Sequence, residues 1–182
     1  MDRPPTRYTT TAIVFHWVLA IAIVATFLVG WTMADMRISP LRLKLFNWHK
    51  WAGVSILALS ALRLLWRLFN APPTDVPMPA WQRTAAHVTH TLLYVLFFAV
   101  PLVGWAYSSA TGYPIVAFGV LPLPDFVPVG RELAEAIKPW HGRLAYTLAV
   151  LVGLHVLGAL QHQFIARHRL LQRMWPFGAV RG

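Results

Sequence analysis

Eight histidines are the residues in this 182-residue chain best suited to hold a cofactor, and several lie inside long apolar runs. An ionisable side chain within a membrane span is costly and is retained there for function. His141 and His155 are 14 residues apart on one such run. At 1.5 Å per helical residue this is about 21 Å along the axis, and 14 steps of about 100° bring both to nearly the same face. His49 opens a run that enters from the same side as His141. His16 lies a few residues into a run that enters from the opposite side, at the depth of His155. Two histidine pairs at two depths follow. Neutral imidazole is an axial ligand for haem iron, so the spacing predicts two non-covalent haem b groups stacked between helices, with iron on His16/His155 and on His49/His141. The chain has no cysteine, which excludes iron–sulfur clusters, thiolate zinc sites, disulfides and covalent haem attachment through cysteine.

The 14-residue interval recurs on the other runs. His16 plus 14 is Gly30, His90 plus 14 is Gly104, and His49 plus 14 is Arg63. Glycine lets a backbone approach a flat ring closely, although it also serves ordinary helix–helix contacts. An interior arginine can neutralise a haem propionate, or can snorkel to the interface. His90 and His162 fall in or just below the layer of His16 and His155. There they can hydrogen-bond a quinone carbonyl and deliver its proton, or bond propionates and lipid headgroups. The His87-x-x-His90 pair has zinc-like spacing but no evident third ligand. His168, between Arg167 and Arg169, reads as a headgroup contact.

The elements that must position these groups are legible from composition. Residues are 57% hydrophobic and 12% charged, with a mean hydropathy of +0.54, well outside the range of a soluble domain. About twenty apolar residues cross a bilayer, and four stretches qualify, at about 12–33, 47–67, 84–108 and 140–164. The reading is an all-α, integral membrane four-helix bundle occupying the whole chain as one domain. The first stretch is too long for a cleaved signal and carries His16, so it reads as a membrane helix. A proline-rich hinge at 70–79 joins the second and third stretches. A longer connection, 109–139, holds proline-broken apolar pieces (113–123) and an amphipathic candidate, Arg131–Ile137. It reads either as a lid folded back on the bundle or as a surface loop.

The net charge of +10 is assigned to lipid headgroups rather than nucleic acid, because Lys and Arg sit mostly at segment ends. Trp31, Trp48, Trp51, Trp105 and Trp140 mark one interface; Trp66, Trp81 and Trp175 mark the other. Nine cations on the side of the termini against seven on the other make both termini cytoplasmic. The 109–139 connection is then periplasmic.

The carrying pieces Phe15-His16-Trp17, Asn47-Trp48-His49-Lys50-Trp51-Ala52-Gly53, Arg63-Leu-Leu-Trp-Arg67, His87-Val-Thr-His90-Thr-Leu-Leu-Tyr94, Pro101-Leu-Val-Gly104, Lys138-Pro-Trp-His141 and Leu154-His155 resemble the bacterial cytochrome b561 family, and the resemblance spans nearly the whole chain. It does not extend to 109–121. The resemblance implies a di-haem inner-membrane cytochrome, with His16 and His155 on the inner haem and His49 and His141 on the outer. One branch of that family oxidises superoxide at the outer haem and reduces ubiquinone. By similarity this chain is expected to do the same, with Arg37, Arg42, Lys44, Lys50, Lys138 and Arg143 steering the anion and His162 and His90 serving the quinone. Two other functions fit the same residues. One is a cytochrome b subunit relaying electrons between quinone and a dehydrogenase or c-type cytochrome. The other is a non-redox membrane protein whose histidines bind a metal or carry protons.

Overall fold

The computed structural model describes residues 7–167 and 170–177. Four long helices dominate: α1 (Thr10–Ala34), α2 (Pro40–Phe69), α3 (Ala80–Ala110) and α4 (Arg131–Phe164). All four are long and apolar enough to cross a membrane. A two-stranded hairpin lies between α3 and α4, with β1 (Val116–Ala117) antiparallel to β2 (Leu121–Pro122). A short α5 (Leu170–Met174) follows α4. The end of the bundle carrying the α1–α2 turn and the hairpin is called outer, and the end carrying the termini inner.

The first two helices start at side-chain caps. Thr9 caps α1, its hydroxyl accepting from Ala12 N at 3.3 Å. Ser39 caps α2, accepting from Arg42 N at 3.2 Å, and Pro40 takes the first helical position, where its missing N–H has no helical partner to lose. This cap is why α2 begins at Pro40 rather than near Asn47. Ser39→Ala is expected to lower stability by about 0.5–2 kcal/mol, read as a lower melting temperature in detergent.

The fourth helix differs more from the sequence expectation. Arg131–Ile137 is not a separate amphipathic piece but the first two turns of α4, which runs on through Pro139. Proline removes one hydrogen-bond donor there, and a long helix packed along α3 absorbs the loss. The α3–α4 connection is correspondingly shorter, 111–130. It folds back onto the bundle: Lys50 Nζ donates to Tyr113 O at 3.0 Å and Trp51 Nε1 to Val116 O at 2.7 Å. Phe118 leans on Trp51 and Phe126 meets Trp105 edge-on. The proline-rich 70–79 segment is non-helical up to Pro79, as its residues require.

Helices α1 and α2 pack together, as do α3 and α4, and α2 against α3 closes the two pairs into a bundle; α1 touches α4 only lightly. The buried core is small. Leu19, Ile23, Ile56, Leu93, Leu96, Phe97 and Leu148 form one cluster across all four helices, at mid-height. Most other large apolar side chains face outward, such as Ile21 and Val150. In water that surface would aggregate; in a bilayer it is the solvated surface. At the inner end Met174 and Trp175 meet α1 and the segment before it: Trp17 Nε1 donates to Met174 O at 2.7 Å and Arg7 Nη2 to Trp175 O at 2.5 Å.

Candidate functional site

The interior histidines come together in two layers. At the outer layer the rings of His49 (α2) and His141 (α4) have centroids 6.0 Å apart, their planes crossing at 87°. At the inner layer His16 (α1) and His155 (α4) are 6.2 Å apart at 60°. Two imidazoles on opposite faces of one metal ion, at about 2.0–2.1 Å per bond and about 1.1 Å from nitrogen to ring centre, have centroids roughly 6.3 Å apart. Both pairs have that separation.

The outer pair is held by the backbone. His49 Nδ1 lies 3.1 Å from Thr26 O, and His141 Nδ1 lies 3.1 Å from Val100 O. A carbonyl can only accept, so each Nδ1 carries the proton and each Nε2 presents its lone pair. That is the tautomer an axial ligand needs. Thr26 is one turn before Gly30, and Val100 one turn before Gly104. A Cβ at Gly30 would lie 2.8 Å from His49 Cε1, and one at Gly104 would lie 2.8 Å from His141 Cε1. The two glycines therefore admit an imidazole edge against a helix backbone, and the ring then reaches the carbonyl one turn earlier. The atoms that lie against the two glycines are the imidazole rings of His49 and His141. The same device serves α1/α2 and α3/α4, which gives the two helix pairs matching construction.

Between the outer imidazoles and the core lies a half-open cleft of about 170 Å³. It is bounded by all four helices, with Phe27, Gly53, Phe97, Pro101 and Val152 among its walls. Apolar walls with few polar groups are typical of cofactor sites. Paired Nε2 lone pairs, an apolar slot and a cradle kept free of Cβ atoms suit a planar, non-covalent, bis-histidine haem. A model of the family described as Prokaryotic cytochrome b561 matches residues 7–177. The chain belongs to the prokaryotic cytochrome b561 family.

Relatives agree over nearly full length. The chain is 32% identical over 174 residues to "Cytochrome b561 homolog 2" of Escherichia coli (strain K12), covering 93% of this chain and 92% of that protein. It is 30% identical over 176 residues to "Probable superoxide oxidase CybB" of Yersinia pestis, covering 93% and 96%. It is 32% identical over 177 residues to "Cytochrome b561 homolog 1" of E. coli (strain K12), covering 93% and 97%. Membership of the cytochrome b561 family makes this a multi-pass bacterial membrane protein of electron transfer, and implies haem b as its cofactor.

The remaining candidate residues of this b561 chain separate clearly. Arg63 stands at the inner layer and bears electrostatically on both His16 and His155. His90 packs its ring against His155, centroids 5.2 Å apart. His162 lies two turns beyond His155 on the last turn of α4. His87 turns away from His90 to meet Asp75 Oδ2 at 3.1 Å on the exposed hinge. That contact removes the basis for a His87/His90 zinc pair, and no three His, Asp or Glu side chains converge as a separate metal site among the described residues. His168 lies outside the described residues. At the outer rim Lys138, Lys44, Arg37 and Arg131 are exposed. Others are engaged: Lys50 on the loop carbonyl, Arg42 over Phe46 and Arg143 over Trp140.

Two features had no role in the sequence reading. The carbonyls of Thr26 and Val100 anchor the outer imidazoles, and Tyr94 carries two guanidiniums, those of Arg63 at 5.3 Å and Arg67 at 5.6 Å from its ring centre. A glycine with a carbonyl one turn before it was a usable signal for the first. The two arginines, four residues apart and so on one helix face, were a usable signal for the second.

Proposed function

We propose that this chain holds two haem b groups, the inner between His16 and His155 and the outer between His49 and His141, and couples superoxide oxidation at the periplasmic face to ubiquinone reduction at the cytoplasmic face. The observation that carries this reading is the pair of bis-imidazole separations, 6.0 and 6.2 Å, on two levels of one bundle. Haem b bound there supplies one-electron carriage between the two faces. The chain's own residues do the rest. Gly30 and Gly104 let the outer imidazoles seat against carbonyls that fix their tautomers. Arg63 offers a guanidinium to an inner propionate.

Superoxide is supported as the outer substrate by the relative in Y. pestis that bears the name superoxide oxidase, and by the exposed cations at the outer rim. Lys138 stands one turn from His141, and with Lys44, Arg37 and Arg131 it draws in a small anion. Two superoxide anions give two electrons and leave as two molecules of oxygen. One quinone takes those electrons with two protons to become quinol. His90 and His162, near the inner layer, are positioned to bond its carbonyls and pass those protons. The cation surplus on the side of the termini supports a cytoplasmic location for both.

The test is reconstitution with ubiquinone and enzymatically generated superoxide. Quinol should form at two superoxide per quinol, and the rate should fall as salt rises, because steering is screened over about 10 Å at 0.1 M. Lys138→Gln should slow the reaction at low salt more than at high salt. Absence of quinol formation, with ready reduction by a soluble redox protein, would move the reading to a partner-bound relay.

A further inference from the structure

The two histidine layers are built differently, and the difference acts on redox equilibrium. At the outer layer both imidazoles donate Nδ1–H to backbone carbonyls, each at 3.1 Å. Such a bond makes the imidazole a stronger electron donor and favours the oxidised iron, which lowers a haem's potential. At the inner layer neither His16 nor His155 makes a hydrogen bond to the described residues; their neighbours are rings, Trp17 against His16 and His90 against His155.

Charge acts in the same sense. Arg63 and Arg67 both lie over the ring of Tyr94. Tyr94 is one turn from His90 on α3, so the pair is held at the level of the inner imidazoles. Neither arginine forms an ion pair with a carboxylate among the described residues. Acidic residues are instead concentrated at the outer end: Asp35, Asp125, Glu132 and Glu135. Oxidation adds a positive charge to a haem, so nearby cations resist it and raise the potential.

We propose that Arg63 and Arg67, clamped over Tyr94, together with the carbonyl bonds that only the outer imidazoles make, set the inner haem at the higher potential of the two. Electrons then run downhill from the outer face to the inner one without an energy input. Tyr94 is a positioning residue: its ring fixes two guanidiniums that would otherwise extend toward the interface. This inference rests on the two-haem reading above and adds to it a direction.

The experiment is an optical redox titration of the purified full-length protein in detergent, after its haem-to-protein ratio has been measured. Two one-electron steps are expected. Removing one elementary charge about 10 Å away at an effective dielectric of about 20 changes a one-electron equilibrium by roughly tenfold, and tenfold is about 59 mV for such a couple. Arg67→Gln should therefore lower the upper step by about that much and leave the lower step in place. Tyr94→Leu should lower the same step, and Tyr94→Phe, which keeps an aromatic face, should restore it. A purely structural role for Tyr94 would not move one step selectively. Movement of the lower step, or of neither, at two haems per chain overturns this inference alone. A ratio of one haem or none overturns the two-haem reading as well.

Discussion

Replacing His49 by alanine is expected to cut the haem content of the purified protein from two per chain to one. The Soret band should fall by about half, and the remaining haem should keep a bis-histidine spectrum. The argument is geometric. His49 stands alone on α2 as the ligand opposite His141, and α2 supplies no second imidazole at that depth. Its loss also removes the second donor from Thr26 O, which keeps its helical bond to Gly30 N. The inner pair, about 21 Å away along the bundle, shares no ligand with it. His16→Ala should remove the other haem with the same selectivity. A pyridine haemochrome assay on the wild type and the two single variants decides the matter. Both variants retaining two haems, or either losing both while staying folded, would mean that the pairs have been assigned wrongly.

The glycine substitutions follow as the second large effect. At Gly30 an added Cβ would lie 2.8 Å from Cε1 and 3.2 Å from Nδ1 of His49, and at Gly104 it would lie 2.8 and 3.1 Å from the same atoms of His141. These are ring atoms of a side chain bonded to the helix, so neither the ring nor the backbone yields cheaply. Overpacking of this kind costs about 1–3 kcal/mol, and 1.4 kcal/mol is roughly a factor of ten in an equilibrium constant. Gly30→Ala is therefore expected to weaken retention of the outer haem by about tenfold or more while sparing the inner one. Gly153→Ala provides the contrast. No atom lies within 4 Å of a Cβ there, and alanine is the better helix former by about 1 kcal/mol, so stability should hold or rise. Haem retention measured against a competing apo-haem acceptor, with melting curves beside it, separates the two cases. If the alanine at position 30 binds outer haem as tightly as wild type, the close approach is not a working part of the site.

These two results probe different layers of legibility. The pairing of the histidines could be read from the chain because a helix converts sequence distance into depth at a fixed 1.5 Å per residue, and a bilayer of about 30 Å fixes how many residues each span needs. The interval from His141 to His155 was enough to define two levels, and the entry sides of the other runs assigned His49 and His16 to them. The absence of cysteine narrowed the ligand chemistry further. Helix α4 was harder to read. Pro139 looked like a boundary, yet α4 continues through it because the helix is packed along α3, and that contact comes from another helix.

The sequence by itself determined the number of spans, the two depths, the histidines at each depth and the all-helical class, since all of these follow from periodicity and hydrophobic length along one helix at a time. Only the tertiary structure decided which atoms meet across helices. It put the His49 ring in the space left by Gly30 and the His141 ring in that left by Gly104, gave both outer imidazoles a carbonyl to hold them, turned His87 toward Asp75 and stacked Arg63 and Arg67 on Tyr94. The reason is that the rotation and axial shift of one helix against its neighbour are set by how their side chains interlock. No single helix carries that information in its own repeat.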